Sequence, residues 1–258
     1  MIVNANCLEW LRAMPDDYAD HCIMDPPYSN WTHTQARAGV CVQKDTRKKK
    51  NGRRMEVSRA KDFGFDALSP ALMDGVAIEL GRVVKRWAIA FCDVESSQSW
   101  RLALSAGGMR YVRTMIWLKR NSTPSFCAVK PASAFECMVV AHSTRAMDWN
   151  AGGKRGFYDH ACENGPNTET AMHTTPKPIP LMLDLVEDFT DAGELVIDPF
   201  AGSGSTGVAC ILRGRRFLGC EIDPIHVATA AERLVATQLD STIDARRGGQ
   251  LALAEAAQ

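Results

Sequence analysis

Short apolar runs alternate with amphipathic segments along most of the chain, and each pattern predicts its own kind of element. Apolar residues at helical spacing predict helices at 69–86, 95–106, 179–189, 205–212 and 224–239. Short apolar runs predict strands at 20–24, 87–92, 111–118, 135–142, 195–197 and 217–221. A short apolar start at 1–3 precedes them. Strands and helices that alternate in this way favour an α/β fold with a mostly parallel sheet covered on both faces.

Two features of the pattern refine this fold. The strands at 111–118 and 135–142 follow one another without a helix between them, which predicts an antiparallel partner at the sheet edge. Periodicity is absent at 30–66 and at 143–173, so both stretches are expected to be loops or insertions. The Ala- and Gln-rich residues 241–258 are predicted to be a flexible tail or a frayed helix. We therefore expect one domain at 1–240.

Length and composition are those of a single globular unit. The chain has 258 residues, of which 46% are apolar, so it can bury a full core. Its nine cysteines include no Cys-x-x-Cys pair, and no charged-then-apolar leader precedes Asn4. No apolar stretch approaches the length that crosses a bilayer. We therefore expect reduced thiols in a cytoplasmic protein, with no membrane partner, disulfide scaffold or metal.

Charge is balanced over the whole chain but unevenly distributed. The formal net charge is zero, yet the segment from Lys44 to Lys61 holds nine basic residues against Asp45 and Glu56. A local positive field of this kind suits a polyanion such as nucleic acid. The alternative is a solvated loop without a partner, because charge runs are often only that.

The sequence Asp25-Pro26-Pro27-Tyr28 directly follows the apolar run Cys22-Ile23-Met24. It places a carboxylate, two conformationally restricted prolines and an aromatic ring where a buried strand meets a loop. The carboxylate and a proline carbonyl can each accept one hydrogen of a planar amine, and the ring can stack on a base. In isolation, the same four residues could be an ordinary turn.

A glycine-rich turn follows the predicted strand at 195–197. Gly202 and Gly204 let the backbone approach a ligand closely, and the helix that begins near Ser205 directs its free N–H groups toward it. Dinucleotide enzymes and phosphate loops also use such turns, but a phosphate loop needs lysine at Ser205. Glu221 ends the next predicted strand, where a carboxylate can accept ribose hydroxyls. The alternative for Glu221 is a surface or capping acid.

Together these two motifs resemble those of the amino-methyltransferases of DNA, and the acceptor motif precedes the cofactor motif as in the beta group of that family. The resemblance implies a circularly permuted methyltransferase fold with a seven-stranded, mostly parallel sheet. It also implies transfer of a methyl group from S-adenosyl-L-methionine to a flipped base of double-stranded DNA, as in restriction-modification systems. Aspartate at position 25 favours the N6 of adenine, and the N4 of cytosine is the alternative. Rivals are methylation of RNA or a protein amide, and a DNA-binding regulator without activity.

By resemblance, the catalytic residues are Asp25, Pro26, Pro27 and Tyr28. The element 173–178 resembles the one that packs beside the methionine part of the cofactor. Asn6 stands where the family often has an acid. The implied cofactor contacts are Asn6, Cys7, Thr175, Lys177, Asp198, Phe200, Ala201, Gly202, Ser203, Gly204, Ser205, Thr206, Glu221 and Ile222.

The DNA contacts are expected to come from the basic insertion at 30–66 and from 143–173, where the beta group keeps its target-recognition region. The candidates are Lys44, Lys48, Lys49, Lys50, Arg53, Arg54, Lys154 and Arg155. The target-recognition region is short in this chain. Sequence-specific binding then needs the basic loop, or a homodimer whose second subunit contacts the other half of a palindrome.

Overall fold

The computed structural model describes residues 1–28, 68–122, 133–143, 148–162 and 176–255. Its strands, in chain order, are β1 (Ile2–Asn4), β2 (His21–Met24), β3 (Trp87–Cys92), β4 (Arg110–Lys119), β5 (Phe135–His142), β6 (Phe157–His160), β7 (Leu195–Asp198) and β8 (Arg216–Glu221). Its helices are α1 (Cys7–Arg12), α2 (Pro70–Val83), α3 (Val94–Ala106), α4 (Ile179–Phe189), α5 (Ser205–Leu212) and α6 (Pro224–Glu255).

The strands form one sheet in the order β1-β8-β7-β2-β3-β5-β4-β6. Strand β5 runs antiparallel to β3 and β4, and the other pairings between these strands are parallel. The mostly parallel α/β fold is therefore confirmed. The antiparallel strand, however, lies inside the sheet and not at its edge, which is formed by β6.

The sheet has eight strands in the described residues, not the seven that were expected. The additional strand is β6, which lies within 143–173, a stretch expected to be a loop. Its four residues, Phe-Tyr-Asp-His, are too few and too polar to show a strand period, and they pair with β4 alone. Tertiary pairing, and not local pattern, makes this segment a strand.

Local capping explains where several helices begin and end. The Ser69 side chain accepts a hydrogen bond from the Leu72 N–H and starts α2. The Asp93 carboxylate accepts from the Ser96 N–H, so α3 begins one residue before its predicted start. Helix α2 ends at Val83, before the predicted residue 86, because Val84 adopts an extended conformation. Helix α6 continues to Glu255, beyond the predicted end at 239.

The two faces of the sheet carry separate apolar clusters, and β3 shows the alternation that builds them. Ala88, Ala90 and Cys92 pack into the cluster that contains α1, α2 and α3 residues. Ile89 and Phe91 pack into the opposite cluster, with residues of α4, α5 and α6. Helices therefore cover both faces, as the sequence pattern predicted. Across the described residues, we find no helix that is long and apolar enough to cross a membrane.

Parallel pairing brings the carboxyl ends of five strands to one edge of the sheet. Strand β2 lies between β7 and β3, with Cys22 beside Ile197, and β7 places Asp198 beside Gly219 of β8. Strand β1 adds Asn4 beside Glu221. The loops that follow β2, β7 and β8 consequently emerge side by side, in the position where open α/β sheets bind ligands.

Candidate active site

The loop after β2 presents Asp25 at this edge. Its Oδ2 accepts a short hydrogen bond from the Lys177 ammonium, which stands two residues before α4. Its Oδ1 is buried and has no hydrogen-bond partner among the described residues. The side chain as a whole is 28% exposed, so part of it reaches the surface although Oδ1 itself does not. Since a buried carboxylate oxygen without a donor is costly, Oδ1 is poised to accept a hydrogen bond from a ligand.

The side chain of Tyr28 belongs to a network of charged groups around Asp25. Its hydroxyl donates to Oε2 of Glu136 over 2.5 Å, and Glu136 Oε1 lies 2.5 Å from Nζ of Lys119. Lys177 Nζ lies 3.4 Å from Glu136 Oε2 and sits over the rings of Tyr28 and Phe91, 5.4 and 5.1 Å from their centroids. Two ammonium groups thus balance two carboxylates beside the aromatic ring.

Burial and neighbouring charges shift the pKa values of this network in different directions. Burial raises the pKa of Asp25 and the Glu136 charge adds to this, although Lys177 opposes both. Burial would also raise the pKa of Glu136, but Lys177 and Lys119 outweigh it and the pKa is lowered. The Lys177 pKa is raised, because Asp25 and Glu136 outweigh its own burial. Lys177 therefore remains charged, and of the two carboxyls Asp25 takes up a proton more readily.

Hydrogen bonds to the Asp198 carboxylate stabilise the glycine turn that follows β7. Gly202 and Gly204 have φ of 50° and 81°, a conformation that favours glycine. The Asp198 carboxylate is buried and accepts hydrogen bonds from the Phe200 N–H at 2.9 Å and the Thr206 hydroxyl at 2.7 Å. Burial raises the pKa of Asp198 to about 7, and the charges of Asp25 and Glu221 act in the same direction. Asp198 thus supports the shape of the turn.

Glu221 ends β8 and ties the turn to the next loop. Its Oε2 accepts from the Gly202 N–H, and its Oε1 accepts from the Ile222 and Asp223 N–H groups, each at 2.9 Å. These bonds occupy three of the roughly four acceptor positions of an ionised carboxylate. One position on Oε2 is left for a ligand hydroxyl, where the sequence interpretation had assumed two.

Within residues 200–206, some side chains pack against the protein and others keep a polar group for a ligand. Ser203 accepts a hydrogen bond on Oγ from Arg233 at 2.9 Å, and a Cβ on Gly204 would lie 3.0 Å from that of Ala230. The Ser205 Oγ, in the first turn of α5, is buried and has no partner within the described part of the chain. Ala201 and Thr206 are buried and Phe200 is half-buried. Ser205 is therefore the polar side chain of the turn that can still bind a ligand.

Asn6, Cys7 and Ile222 lie at the same edge of the sheet. The Asn6 Oδ1 accepts from the N–H groups of Leu8 and Glu9 at 3.0 and 3.3 Å and so caps α1. Cys7 is buried, which raises the pKa of its thiol to about 11. Ile222 is 69% exposed. Asn6 already has a structural role, which leaves its amide N–H₂ group for a ligand.

The predicted DNA contacts are only partly within the structure. The basic residues Lys44, Lys48, Lys49, Lys50, Arg53 and Arg54 lie outside the described residues, and so does Thr175, an implied cofactor contact. Lys154 Nζ lies 2.6 Å from Asp188 Oδ2 and 4.6 Å from the Tyr158 ring centroid, and Arg155 is exposed.

Lys154 and Arg155 stand at the end of the sheet opposite to Asp25. Asp188 is in the last turn of α4, whereas Lys177, which contacts Asp25, precedes the first turn. Asp148, in the same described segment as Lys154, accepts a hydrogen bond on its backbone carbonyl from the indole N–H of Trp87, the first residue of β3. The structure thus does not bring Lys154 and Arg155 together with the other candidate site residues.

Sequence reasoning missed Glu136, which contacts Tyr28 of the acceptor motif, and Lys119, which pairs with Glu136. Glu136 is the second residue of β5, and Lys119 is the last residue of β4. Both belong to strands that carry no recognised motif. The available signal was a single acid inside the apolar run 135–142, which has no evident purpose until its distant partners are known.

Comparison with known proteins assigns the family. A family model described as DNA methylase, N6_N4_Mtase, matches residues 19–232. The protein YubD of Escherichia coli (strain K12) is 44% identical over 245 residues, covering 92% of this chain and 90% of YubD. The type II methyltransferase M.XycI of Xanthomonas campestris pv. cyanopsidis is 31% identical over 147 residues, covering 52% of this chain and 48% of its own length.

Solved structures of low sequence identity share the fold. The complex of M1.HpyAVI with SAM superposes with a TM-score of 0.64 at 20% identity, covering 91% of this chain and 98% of that one. PvuII DNA methyltransferase, described as cytosine-N4-specific, gives 0.66 at 14% identity, covering 90% and 85%. With the family model spanning most of its length, this chain belongs to the N6/N4 family of DNA methylases.

Proposed function

We propose that the protein transfers a methyl group from S-adenosylmethionine to the N6 amino group of adenine in double-stranded DNA. The observation that carries the proposal is the state of Asp25, whose Oδ2 is held by Lys177 while the buried Oδ1 has no partner in the described ranges. A single unsatisfied acceptor at the carboxyl end of β2 suits one hydrogen of an amine. The glycine turn emerges from the adjacent strand, β7.

The residues around the glycine turn suit this cofactor. The Ser205 hydroxyl and the open position on Glu221 Oε2 can bind its polar groups, and the first turn of α5 offers N–H groups. Lys177, Asn6 and the backbone of Gly202 lie at the same edge. When bound, S-adenosylmethionine supplies a methyl group on a sulfonium, which is already strongly electrophilic.

The protein's own task is therefore to activate the amine. The lone pair of an exocyclic base nitrogen is delocalised into the ring, so the free amine is a poor nucleophile. We propose that Asp25 Oδ1 and the Pro26 carbonyl each accept one amine hydrogen, which favours a pyramidal nitrogen with its lone pair toward the methyl group. As the nitrogen forms its bond to the methyl carbon, the carbon–sulfur bond would break with its electron pair on sulfur, and one amine proton would be released to solvent. Pro27, which has restricted φ, stiffens the loop. Correct placement of both reactants supplies on the order of 7–11 kcal/mol of the barrier reduction.

The base must leave the duplex to reach Asp25. Extrusion costs a few kcal/mol, and stacking on the Tyr28 ring recovers ~1–3 kcal/mol per base. The basic residues from Lys44 to Arg54 are proposed to contact the phosphates beside the extruded base. A DNA substrate is consistent with activity in the cytoplasm of a bacterium, and a homodimer remains the proposal for binding a palindromic site.

The N4 of cytosine is the second candidate acceptor. It is supported by the likeness in fold to PvuII DNA methyltransferase, described as cytosine-N4-specific. Asp25 Oδ1 and a proline carbonyl would serve either ring, because both amines are exocyclic and planar. Aspartate in the first position of the motif favours adenine, which is why adenine is the first proposal.

The test is methyl transfer from labelled S-adenosylmethionine to double-stranded DNA, followed by mass spectrometry of the nucleosides. We expect label in N6-methyladenine, with none transferred by Asp25→Ala. Label in N4-methylcytosine would support the second candidate, and label in RNA or protein would refute a DNA substrate. DNA binding without any transfer by the unaltered protein would identify a regulator. Sequencing that detects modified bases would then give the target sequence.

A further inference from the structure

Glu136 of β5 stands outside both motifs but forms a hydrogen bond with Tyr28 of the acceptor motif. Its side chain is 13% exposed, and its two carboxylate oxygens bind three different partners. Oε2 accepts the Tyr28 hydroxyl hydrogen bond at 2.5 Å and lies 3.4 Å from Lys177 Nζ, while Oε1 pairs with Lys119. A buried acid with this set of partners joins β4, β5 and the loop after β2.

We propose that Glu136 is a positioning residue for methyl transfer, which fixes the ring of Tyr28 through its hydroxyl and holds Lys177 against Asp25. This inference rests on the proposed function, because it assigns Glu136 a part in the same reaction.

The first part of the argument concerns the ring of Tyr28. A tyrosine ring that stacks on an extruded base must keep one orientation, and Tyr28 lies in the loop after β2, outside any strand or helix. Its backbone carbonyl accepts a long hydrogen bond from the N–H of Leu68, at 3.4 Å, the next described residue along the chain. The short bond to Glu136 comes from a strand of the sheet, which is rigid. Glu136 therefore ties the ring of Tyr28 to the sheet.

The second part concerns Lys177. Its ammonium bridges Asp25 Oδ2 and Glu136 Oε2, with the rings of Tyr28 and Phe91 on its flanks. With two anionic partners, the ammonium is fixed at a point where it occupies Oδ2 and leaves Oδ1 for the amine. Lys119 balances the second negative charge, so the four groups are neutral together.

Charge gives the inference a signature that a purely structural role lacks. Besides burial, the groups that shift the pKa of Asp25 are Lys177 before α4, Glu136 on β5 and Lys119 on β4. The Asp25 charge in turn raises the pKa values of Tyr28 in its own loop, Cys92 on β3 and Asp198 on β7. The Glu136 charge repels that of Asp25 and raises its pKa. Removing this charge should lower the pKa of Asp25, so that Asp25 stays ionised in more acidic solution.

The experiment compares the full-length protein with Glu136→Gln, Tyr28→Phe and the double variant. Glutamine keeps an acceptor for the Tyr28 hydroxyl but loses both ion pairs. We expect kcat for DNA to fall ~10- to 100-fold in Glu136→Gln, while the Kd for S-adenosylmethionine is unchanged. The acidic limb of the pH profile should move to lower pH. The double variant should lose less than the product of the two single losses, because the residues act together.

A chemically matched control lies at the other end of the sheet. Asp188 accepts from the Tyr158 hydroxyl and pairs with Lys154, each at 2.6 Å, so it repeats the tyrosine–carboxylate–lysine arrangement away from Asp25. Asp188→Asn should lower the melting temperature but leave kcat and the pH profile of the active protein unchanged.

The outcomes separate the inference from the proposed function. If the unaltered protein transfers no methyl group, the proposed function fails. If it is active and Glu136→Gln matches it in kcat and in pH profile, the inference fails. The inference also fails if single losses multiply in the double variant, or if the acidic limb moves to higher pH. The fluorescence of 2-aminopurine at the target position supplies a further readout, since a loose Tyr28 ring should change the signal of the extruded base.

Discussion

Lys177 has more partners in the active site than its place in the sequence suggested. It is predicted to contact the cofactor beside 173–178, and in the structure its ammonium also binds Asp25 and approaches Glu136 and two aromatic rings. The lysine stem remains available to the cofactor side, where it leads into α4. A single cation thus sets which oxygen of Asp25 is open and how readily that carboxyl is protonated.

Replacing this cation should shift the pH dependence in the direction opposite to the change expected for Glu136→Gln. In Lys177→Met the charge that lowers the pKa of Asp25 is lost, so that pKa rises further and the acidic limb of the activity profile moves to higher pH. Breaking a buried pair by removing one partner should also reduce the free energy of unfolding by about 3–5 kcal/mol. Urea unfolding and the pH profile measure the two effects.

The control for this variant is Arg213→Met, which removes an ion pair with Glu187 on the outer side of α4. Its effect on unfolding should be small and its pH profile that of the unaltered protein. An acidic limb that stays in place in Lys177→Met would show that Asp25 is not the group whose ionisation limits the reaction.

How much of the site the sequence could predict depends on the distance between partners along the chain. Asp25, Gly202 and Glu221 were identified because each stands in a local pattern of strand and turn. Glu136 lies 108 residues from Tyr28, and Lys177 lies 152 residues from Asp25. No local pattern joins such pairs. The hydrogen bonds that Asp198 accepts from Phe200 and Thr206 could not be predicted from the sequence either, because they depend on the path of the backbone.

At the scale of elements, the predictions succeeded where periodicity and capping agree. Helices α4 and α5 and strand β5 have the bounds that the pattern predicted. Helix α6 runs to Glu255, through a stretch that was expected to be a flexible tail or a frayed helix, although Gly248 and Gly249 disfavour helix. The order of strands could not come from pattern at all, because β2 and β7 are neighbours only in the folded sheet.

The glycine turn before α5 provides a test of one element. A side chain at Gly204 faces two problems, the left-handed φ of 81° and a Cβ contact of 3.0 Å with Ala230. Gly204→Ala should therefore reduce the free energy of unfolding by roughly 1–2 kcal/mol and also weaken binding of S-adenosylmethionine. Urea denaturation and isothermal titration calorimetry measure these changes.

Gly193→Ala is the matched comparison for this element. Gly193 has nearly the same φ, 83°, but nothing lies within 4 Å of its added Cβ, and it precedes β7 at the far end of the strand. Its backbone strain should be similar, while cofactor affinity should not change. Equal loss of affinity in both variants would mean that the turn at Gly204 has no special part in binding the cofactor.

At the scale of the whole molecule, the balance of charge conceals a strong local excess. The net charge is zero, but 44–61 carries nine basic and two acidic residues. Lys119 and Lys154 in the described part of the chain are already paired with acids. Arg155 is exposed, but the basic insertion holds the densest run of positive charge, so we expect it to supply most of any salt dependence of DNA binding.

Replacing Lys48, Lys49 and Lys50 by glutamine should flatten the dependence of DNA affinity on salt. The slope of log K against log salt is negative, and each lost phosphate contact reduces its magnitude by about 0.9. Fluorescence anisotropy with labelled duplex at several salt concentrations gives the slope. Lys154→Gln is the control. Because the Lys154 ammonium pairs with Asp188, the salt slope of this variant should equal that of the unaltered protein. An unaltered slope in the triple variant would assign that run to solvent, and a reduced slope for Lys154→Gln would restore it as a DNA contact.

The parallel pairing of β1 with β8 has a consequence for how the chain is made. Among the described strands, β1 is made before the others and pairs only with β8, residues 216–221, while β2 can pair with β3 long before β7 is made. During synthesis β1 must therefore wait, unpaired, until β8 has emerged. The nascent chain can form its acceptor side early, whereas the cofactor side closes only after β8 has been made.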